Sequence, residues 1–423
     1  SRALGASLGH QRILSIDVGG TSFDVGVIID GEPLMRSGLT LAGTDIRHPT
    51  IDVATIGAGG GSIAEAEHGA LRVGPQSAGA EPGPACYGRG GTRPTVTDAD
   101  LLLGVLAPED FHSGGIELDV AAAEKAVRTH IAEPLGLDVR RAAWGIRRVL
   151  DSRMADLLRS VTIERGHDPR EFVMYANGGQ GPARAWALAR EIGIRTVVIA
   201  PMATVQSALG TATTVRRRTS ERSVHIRLSD GTAISGTSVD LLAATATELI
   251  HTVVEALGSE RDELELDLSA AVRYRGQAHH LDVPLAGVPG EAGHIAELLG
   301  RFERDYEALF GRGAAFPEAG YEVLSVRATG TLPLPMIAEP QPADDLTPAG
   351  DRQIVFDDPD SARTATVYHA ELPRAGQRIV GPAIVVFPGQ TAVVPPGATA
   401  ETDRRGNLIL DLGPPAPTES ADG

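Results

Sequence analysis

Residues 172–200 read FVMYANGGQGPARAWALAREIGIRTVVIA: an apolar run, a glycine cluster, a helical stretch, and a second apolar run. Two strands of the buried type joined through one helix in so short a span have to lie parallel in a single sheet, because the crossover is too long for a hairpin and right-handed by sterics. This unit commits the chain to a parallel α/β architecture. Gly178, Gly179 and Gly181 fall where the strand hands over to the helix, and Pro182 suits the helix's first turn. Glycines at that junction let a planar base or a ribose lie against the backbone.

A second glycine turn has a different setting. The stretch SIDVGGTSFDVGVIIDGEP, residues 15–33, runs an apolar strand into Asp17, turns on Gly19 and Gly20, and returns as another strand after Thr21, Ser22 and Asp24. A tight hairpin of this kind turns several backbone N–H groups inward, which makes an anion-binding concavity. Gly19 and Gly20 admit a phosphate without a Cβ in the way, and the Thr21 and Ser22 hydroxyls can donate to it. Asp17 and Asp24 would repel a bare phosphate, but they suit a Mg²⁺ ion lying between them and a nucleotide. The competing reading is a plain glycine turn beside a solvated aspartate.

Several other chemistries are excluded. Lys125 is the only lysine, and it lies in a surface-type helix, so a Gly-Lys-Thr phosphate loop is absent and a Schiff-base site is disfavoured. Neither the 178–181 cluster nor GAGGGS at 57–62 has an acidic residue about twenty positions on at a strand end, which argues against a dinucleotide fold and an NAD-dependent oxidoreductase. A net charge of −17 opposes nucleic acid and anionic membrane surfaces as partners. There is no run of 18 apolar residues and no secretory layout at the start, and the single cysteine, Cys86, permits no internal disulfide. A cytoplasmic address is expected.

The 423 residues, 42% of them apolar, suffice for two or three domains. The pattern predicts a first domain over 1–222, in which a Gly- and Pro-rich loop spans 74–94 and helices dominate 98–165. An α+β domain follows over 223–335, with strands in SVHIRL, AAVRYRGQ and HHLDVPL and helices near 238–257 and 292–311. A linker at 336–350, a β module at 351–412 and a disordered tail at 413–423 complete the expectation.

Two glycine loops, one on a hairpin and one opening a helix, resemble the arrangement with which actin-like ATPases hold a nucleotide from opposite sides. More specifically, DVGGTSFDVGVI, TIGAGGGSIA, GALRVGPQSAGAEPGPACYGRGGTRPTVTDADLLLG, MADLLRSVTIERGHDPREF, GGQGPARA and SALG look like the hydantoinase A/oxoprolinase family, and RYRGQ, GPAIVV and VVPPG look like its C-terminal portion. The resemblance implies an α/β fold in which an actin-like ATPase (ribonuclease H-like) domain is followed by a smaller α+β region and a C-terminal β module. It implies ATP and Mg²⁺ as cofactors and a partner subunit of the hydantoinase B type, with an amide or ketone as small-molecule substrate. The implied reaction is opening of a cyclic amide after phosphorylation of its carbonyl oxygen, as in hydantoinases and oxoprolinases. ATP-dependent ketone carboxylation and a non-catalytic scaffold are the alternatives. Asp17, Asp24 and Arg89 are the expected catalytic residues, with Asp17 and Asp24 as metal ligands. Gly19, Gly20, Thr21, Ser22, Gly59, Gly60, Gly61, Gly178, Gly179 and Gly181 are the expected cofactor-binding residues.

Two departures from the family pattern stand out. Family chains carry a further N-terminal segment with its own Asp-x-Gly-Gly-Thr loop, so the expectation is a fragment or a subunit whose N-terminal half is a separate polypeptide. Ala54 and Arg184 stand where the family often has histidine. The paired change suggests that Arg184 offers a fixed positive charge to a carboxylate or phosphate, and independent drift is the alternative.

Other residues favour structural roles. Asp98 reads as a helix N-cap, with a substrate or magnesium contact as the alternative, and Cys86 as a buried thiol, with a nucleophile as the alternative. Glu164 and Arg165 close the long helix, and Arg165 complements its C-terminus. Arg89 reads as either an anion contact or half of a surface ion pair. His279 and His280 on a strand would point to opposite faces and could not chelate together.

Overall fold

The computed structural model describes residues 1–414 except 37, 42, 47–49, 112–114, 213, 229–234, 333–340 and 342. The chain forms two units, one of Ser1–Thr211 with Ala338–Gly423 and the other of Ala212–Ile337.

The first unit is built on a nine-stranded mixed sheet. At its centre Ile13–Val18, Val173–Asn177 and Thr196–Ile199 run parallel, with Ile13 beside Val173 and Met174 beside Val197. The strand–helix–strand unit read from the sequence is therefore present, its helix being Gly181–Ile192. Phe23–Ile29 pairs antiparallel with Ile13–Val18, and Val53–Ile56 pairs with Phe23–Ile29. The long helix Val139–Val161 starts at Asp138, whose side chain accepts from the Arg141 amide at 2.9 Å. Its Ile146, Leu150, Met154 and Leu158 recur every fourth residue, so one stripe of the helix is fully buried in the main core.

The C-terminal strands are not a separate module, which corrects the expected domain at 351–412. Leu408–Asp411 pairs antiparallel with Thr196–Ile199, and Thr399–Thr402 and Arg378–Val380 continue the same sheet. Without them the Thr196–Ile199 strand would present an open edge. Ile384, Val385, Ala392 and Val393, from a four-stranded sheet of the same region, share one core with Trp186 and Leu188. The expected linker at 336–350 lies partly outside the described residues, and its last four positions begin the strand Thr347–Val355. Of the expected tail, 415–423 lie outside the described residues.

The second unit is α+β, with the strand order Arg216–Leu228, Tyr321–Leu332, Glu265–Tyr274, Leu281–Leu285, all antiparallel. Helices Gly236–Leu257 and Ala292–Phe310 bury Leu242, Leu249, Val253, Leu298 and Phe302 in a core of its own. A boundary at 222 would cut the Arg216–Leu228 strand in two, and the break falls between Thr211 and Ala212 instead. The polar run RRRTSER hides that strand from a hydropathy reading. Tyr321–Leu332, one of the two interior strands, carries no strand expectation from the sequence. His279 and His280 precede the Leu281–Leu285 strand rather than lying on it. No helix among the described residues is long and apolar enough to cross a membrane.

Candidate functional site

Strand pairing places Asp17 directly opposite Asp24, so both carboxylates emerge on one face of the hairpin. The turn closes with the Gly19 amide donating to the Ser22 carbonyl at 3.1 Å. Gly20 and Thr21 are exposed, and their amides have no partner among the described residues. Ser22 Oγ donates to Asp24 Oδ2 at 2.9 Å and Thr55 Oγ1 to Asp24 Oδ1 at 2.6 Å, while Ser207 Oγ donates to Asp17 Oδ2 at 2.9 Å. Neither carboxylate has an arginine, lysine or histidine ion-pair partner among the described residues. Two opposed carboxylates without a counter-charge repel each other, and hard oxygen ligands of this kind fit a Mg²⁺ ion that keeps several of its waters.

The second glycine loop abuts this hairpin directly. The Gln180 amide donates to the Val18 carbonyl at 3.1 Å and the Gly178 amide to the Ala203 carbonyl at 2.9 Å. Gly178 has φ +80°, and a Cβ there would lie 2.3 Å from Val18 O and 2.5 Å from Asp17 Oδ1. Close approach therefore requires glycine at this position. Gly179 is exposed, with only Thr204 Cγ2 at 3.5 Å and Gly389 O at 3.6 Å near its Cβ position, and Gly181 is the buried first residue of its helix.

Gly59, Gly60 and Gly61, expected at the cofactor, instead buttress the hairpin from behind. Their amides are occupied: Gly59 donates to Ser62 Oγ at 2.9 Å, Gly60 to the Gly19 carbonyl at 3.0 Å and Gly61 to the Gly20 carbonyl at 2.6 Å. All three are buried, and a Cβ at Gly59 would stand 2.6 Å from Gly19 O.

Arg184 departs most from expectation. It is 0% exposed, and its guanidinium binds Asp151 Oδ1 at 2.8 Å and Asp100 Oδ2 at 2.5 Å, so no charge is left for a ligand. The two carboxylates outweigh the cost of burial and hold the Arg184 pKa above its ordinary value. Ala54 pairs with Val25 in the sheet and takes no part in these ion pairs. Arg89 is exposed on the glycine loop with no ion pair among the described residues.

Asp98 is not the N-cap: Thr95 is, and Asp98 three residues later completes a capping box. The same carboxylate accepts from the Ala85 amide at 3.2 Å and the Cys86 amide at 2.7 Å, pinning the glycine-rich loop to the helix. Cys86 is buried, and burial together with Asp98 pushes its thiol pKa far up, which removes it as a nucleophile. The helix expected to close at Glu164 and Arg165 stops at Val161, and Arg165 pairs with Asp52 at 2.5 Å instead of complementing the helix end. Ser207 and Thr55 were missed as site residues. SALG was singled out only for its resemblance, and Thr55 is visible as a neighbour only once the strands pair. A cavity of 280 Å³ lies in the second unit, beside His294 and Arg301, and includes none of these residues.

The first unit is thus a mixed α/β fold whose glycine hairpin carries two opposed carboxylates. Residues 1–219 match the hydantoinase/oxoprolinase family and residues 234–411 the hydantoinase/oxoprolinase C-terminal domain, and the chain belongs to this family. It is 34% identical over 412 residues to the caprolactamase subunit alpha of Pseudomonas jessenii, covering 96% of this chain and 59% of that one. It is 32% identical over 423 residues to the acetone carboxylase beta subunit of Xanthobacter autotrophicus, covering 94% and 57% respectively. Among solved structures it resembles nucleotide-free acetone carboxylase, with a TM-score of 0.87, 30% identity, and 97% of this chain and 60% of that chain covered. The ATP-dependent caprolactamase of Pseudomonas jessenii gives a TM-score of 0.74 with 33% identity and the same two coverages. The chain thus spans about three-fifths of the length of these relatives.

Proposed function

We propose that this chain supplies the phosphate-handling site of a cytoplasmic ATP-dependent enzyme that opens a cyclic amide, working with a partner subunit of the hydantoinase B type. The observation that carries the reading is the Asp17–Asp24 pair beside the free Gly20 and Thr21 amides. An actin-like ATPase fold is part of this proposal, supported by the hairpin feeding a parallel sheet whose next glycine loop opens a helix.

Amide resonance makes the carbonyl carbon a poor electrophile. Transfer of the γ-phosphoryl group to the carbonyl oxygen releases ADP and activates the carbon; a first water adds there, the tetrahedral adduct collapses with cleavage of the ring C–N bond to leave an amine and an acyl phosphate, and a second water hydrolyses the acyl phosphate to carboxylate and phosphate. Catalysis of such a transfer is mainly positioning and charge stabilisation. In this chain the Gly20 and Thr21 amides donate to phosphate oxygens, while Ser22, whose hydroxyl is committed to Asp24 rather than to phosphate, joins Ser207 and Thr55 in holding the two carboxylates in place. Asp17 and Asp24 would hold Mg²⁺, which supplies neutralisation of phosphate charge. Gly179 gives the nucleoside a side-chain-free surface, Gly178 and Gly181 are buried and serve the close packing of the loop instead, and Arg89 is free to reach an anionic group.

Ketone carboxylation is the second reading, favoured by the higher TM-score of 0.87 with acetone carboxylase at similar identity. The deciding assay measures ADP release by the assembled enzyme with hydantoin, 5-oxoproline or caprolactam, and separately with acetone or acetophenone plus bicarbonate. Release that depends on a cyclic amide supports the first reading, and release that needs both ketone and bicarbonate replaces it with the second. No nucleotide binding at all removes both.

A further inference from the structure

We propose that the buried cluster of Asp100, Arg184, Asp151 and Arg147 is a positioning device that fixes the Asp17–Asp24 hairpin against the Gly178–Gly181 turn, with Arg184 at its centre. The inference rests on the nucleotide reading of that site.

The four residues are between 0% and 5% exposed. Besides the two Arg184 pairs, Arg147 Nε lies 3.6 Å from Asp151 Oδ2, and Arg147 Nη2 donates to the Ala183 carbonyl at 3.3 Å. Asp100 Oδ1, Arg147 Nη1 and Arg184 Nε have no hydrogen-bond partner among the described residues. A buried ionic network with unpaired polar atoms adds little stability compared with an apolar core of the same volume, so its value lies in fixing geometry.

That geometry is a closed ring. Asp100 belongs to helix Val96–Leu102, whose Thr97 donates to the Gly60 carbonyl from its amide at 2.8 Å and from Oγ1 at 2.9 Å. The Gly60 amide in turn holds the Gly19 carbonyl at 3.0 Å. Along the other arm, Arg184 lies in the first turn of helix Gly181–Ile192, and the preceding Gln180 amide holds the Val18 carbonyl at 3.1 Å. Val18 and Gly19 are covalent neighbours, so the two arms leave the hairpin at adjacent residues and meet again at the Arg184–Asp100 ion pair. A guanidinium is suited to this junction, because its fork engages two carboxylates at once. A neutral imidazole would leave both buried acids short of counter-charge.

The test uses the full chain and hydrogen-exchange mass spectrometry. Asp100→Asn combined with Arg184→Gln removes one charge of each sign and leaves Asp151 paired with Arg147. Exchange in segments 13–29 and 173–184 is expected to accelerate about tenfold while 383–394 is unchanged, and binding of Mg·AMP-PNP to weaken about tenfold. Wild-type exchange in all three segments of the folded double variant overturns the proposal. Equal acceleration in all three also overturns it, since that marks general destabilisation. Should the double variant fail to fold, Arg184→Lys keeps the charge and loses the fork; the same segment pattern at about threefold is expected, and wild-type rates again overturn the idea. The exchange readout needs no nucleotide. A wild-type chain that fails to bind Mg·AMP-PNP therefore defeats the functional reading alone.

Discussion

Ser207 Oγ donates to Asp17 Oδ2 at 2.9 Å across 190 positions of sequence. The hydroxyl comes from the short helix Gln206–Ala212, and it fixes one oxygen of the carboxylate pair. Ser207→Ala removes that hydrogen bond at an exposed position. Stability should change by no more than about 1 kcal/mol, while Mg²⁺-dependent nucleotide affinity falls about tenfold. A thermal melt alongside a Mg²⁺ titration in the presence of AMP-PNP measures both; unchanged affinity would remove Ser207 from the site.

Gly20 and Gly59 lie in contact through the backbone yet predict opposite outcomes. A Cβ at Gly20 meets nothing within 4 Å, whereas one at Gly59 would stand 2.6 Å from Gly19 O and 2.7 Å from Gly20 C. Gly59→Ala should therefore destabilise the fold by about 1–3 kcal/mol through overpacking. Gly20→Ala should melt like wild type and lose nucleotide affinity, because the methyl group occupies the space a phosphate needs. Denaturant melts and AMP-PNP titrations of the two variants distinguish a buttress from a contact, and loss of stability in Gly20→Ala would contradict the assignment.

Asp98 and Cys86 separate structure from chemistry in the glycine-rich loop. Asp98 accepts from Ala85, Cys86 and Thr95 while 0% exposed, so Asp98→Ala leaves several buried donors unpaired and should cost about 3 kcal/mol. Cys86→Ala should cost about 1 kcal/mol of packing and leave turnover intact. With its thiol pKa raised by burial and by Asp98, Cys86 should resist a disulfide reagent in the native protein up to pH 9 and react on unfolding. Rapid labelling of the native protein would show that the loop opens.

Acid should weaken the seam between the C-terminal strand and the parallel sheet. The Asp411 carboxylate accepts from the Arg195 guanidinium at 2.7 Å and from the Gly413 amide at 2.9 Å, and these bonds lower its pKa from 3.8 to about 2. A carboxyl group whose pKa is depressed by folding stabilises the native state above 3.8, and that contribution is lost as pH falls from there through about 2. Asp411→Asn should thus melt below wild type at neutral pH, with the gap closing under acid. The pair is largely exposed, so the gap is small. A gap that widens on acidification would reverse the sign.

The sequence by itself determined the features that depend on near neighbours. These are the strand–helix–strand unit around Gly178, the hairpin carrying Asp17 and Asp24, the two helices of the second unit, and the family, whose motifs are local strings. Periodicity, glycine placement and turn chemistry act over a few residues, and such rules can be read without a structure. Only the tertiary structure decided what each charge and each glycine is for. Arg184 offers a positive charge on paper and neutralises Asp100 and Asp151 in the fold, Gly59–Gly61 look like a phosphate loop and brace the Gly19–Gly20 turn, and the C-terminal strands pair with Thr196–Ile199, far back along the chain. Burial and pairing energies depend on which groups from distant parts of the chain arrive within a few ångströms, and no property of the local sequence specifies that arrival.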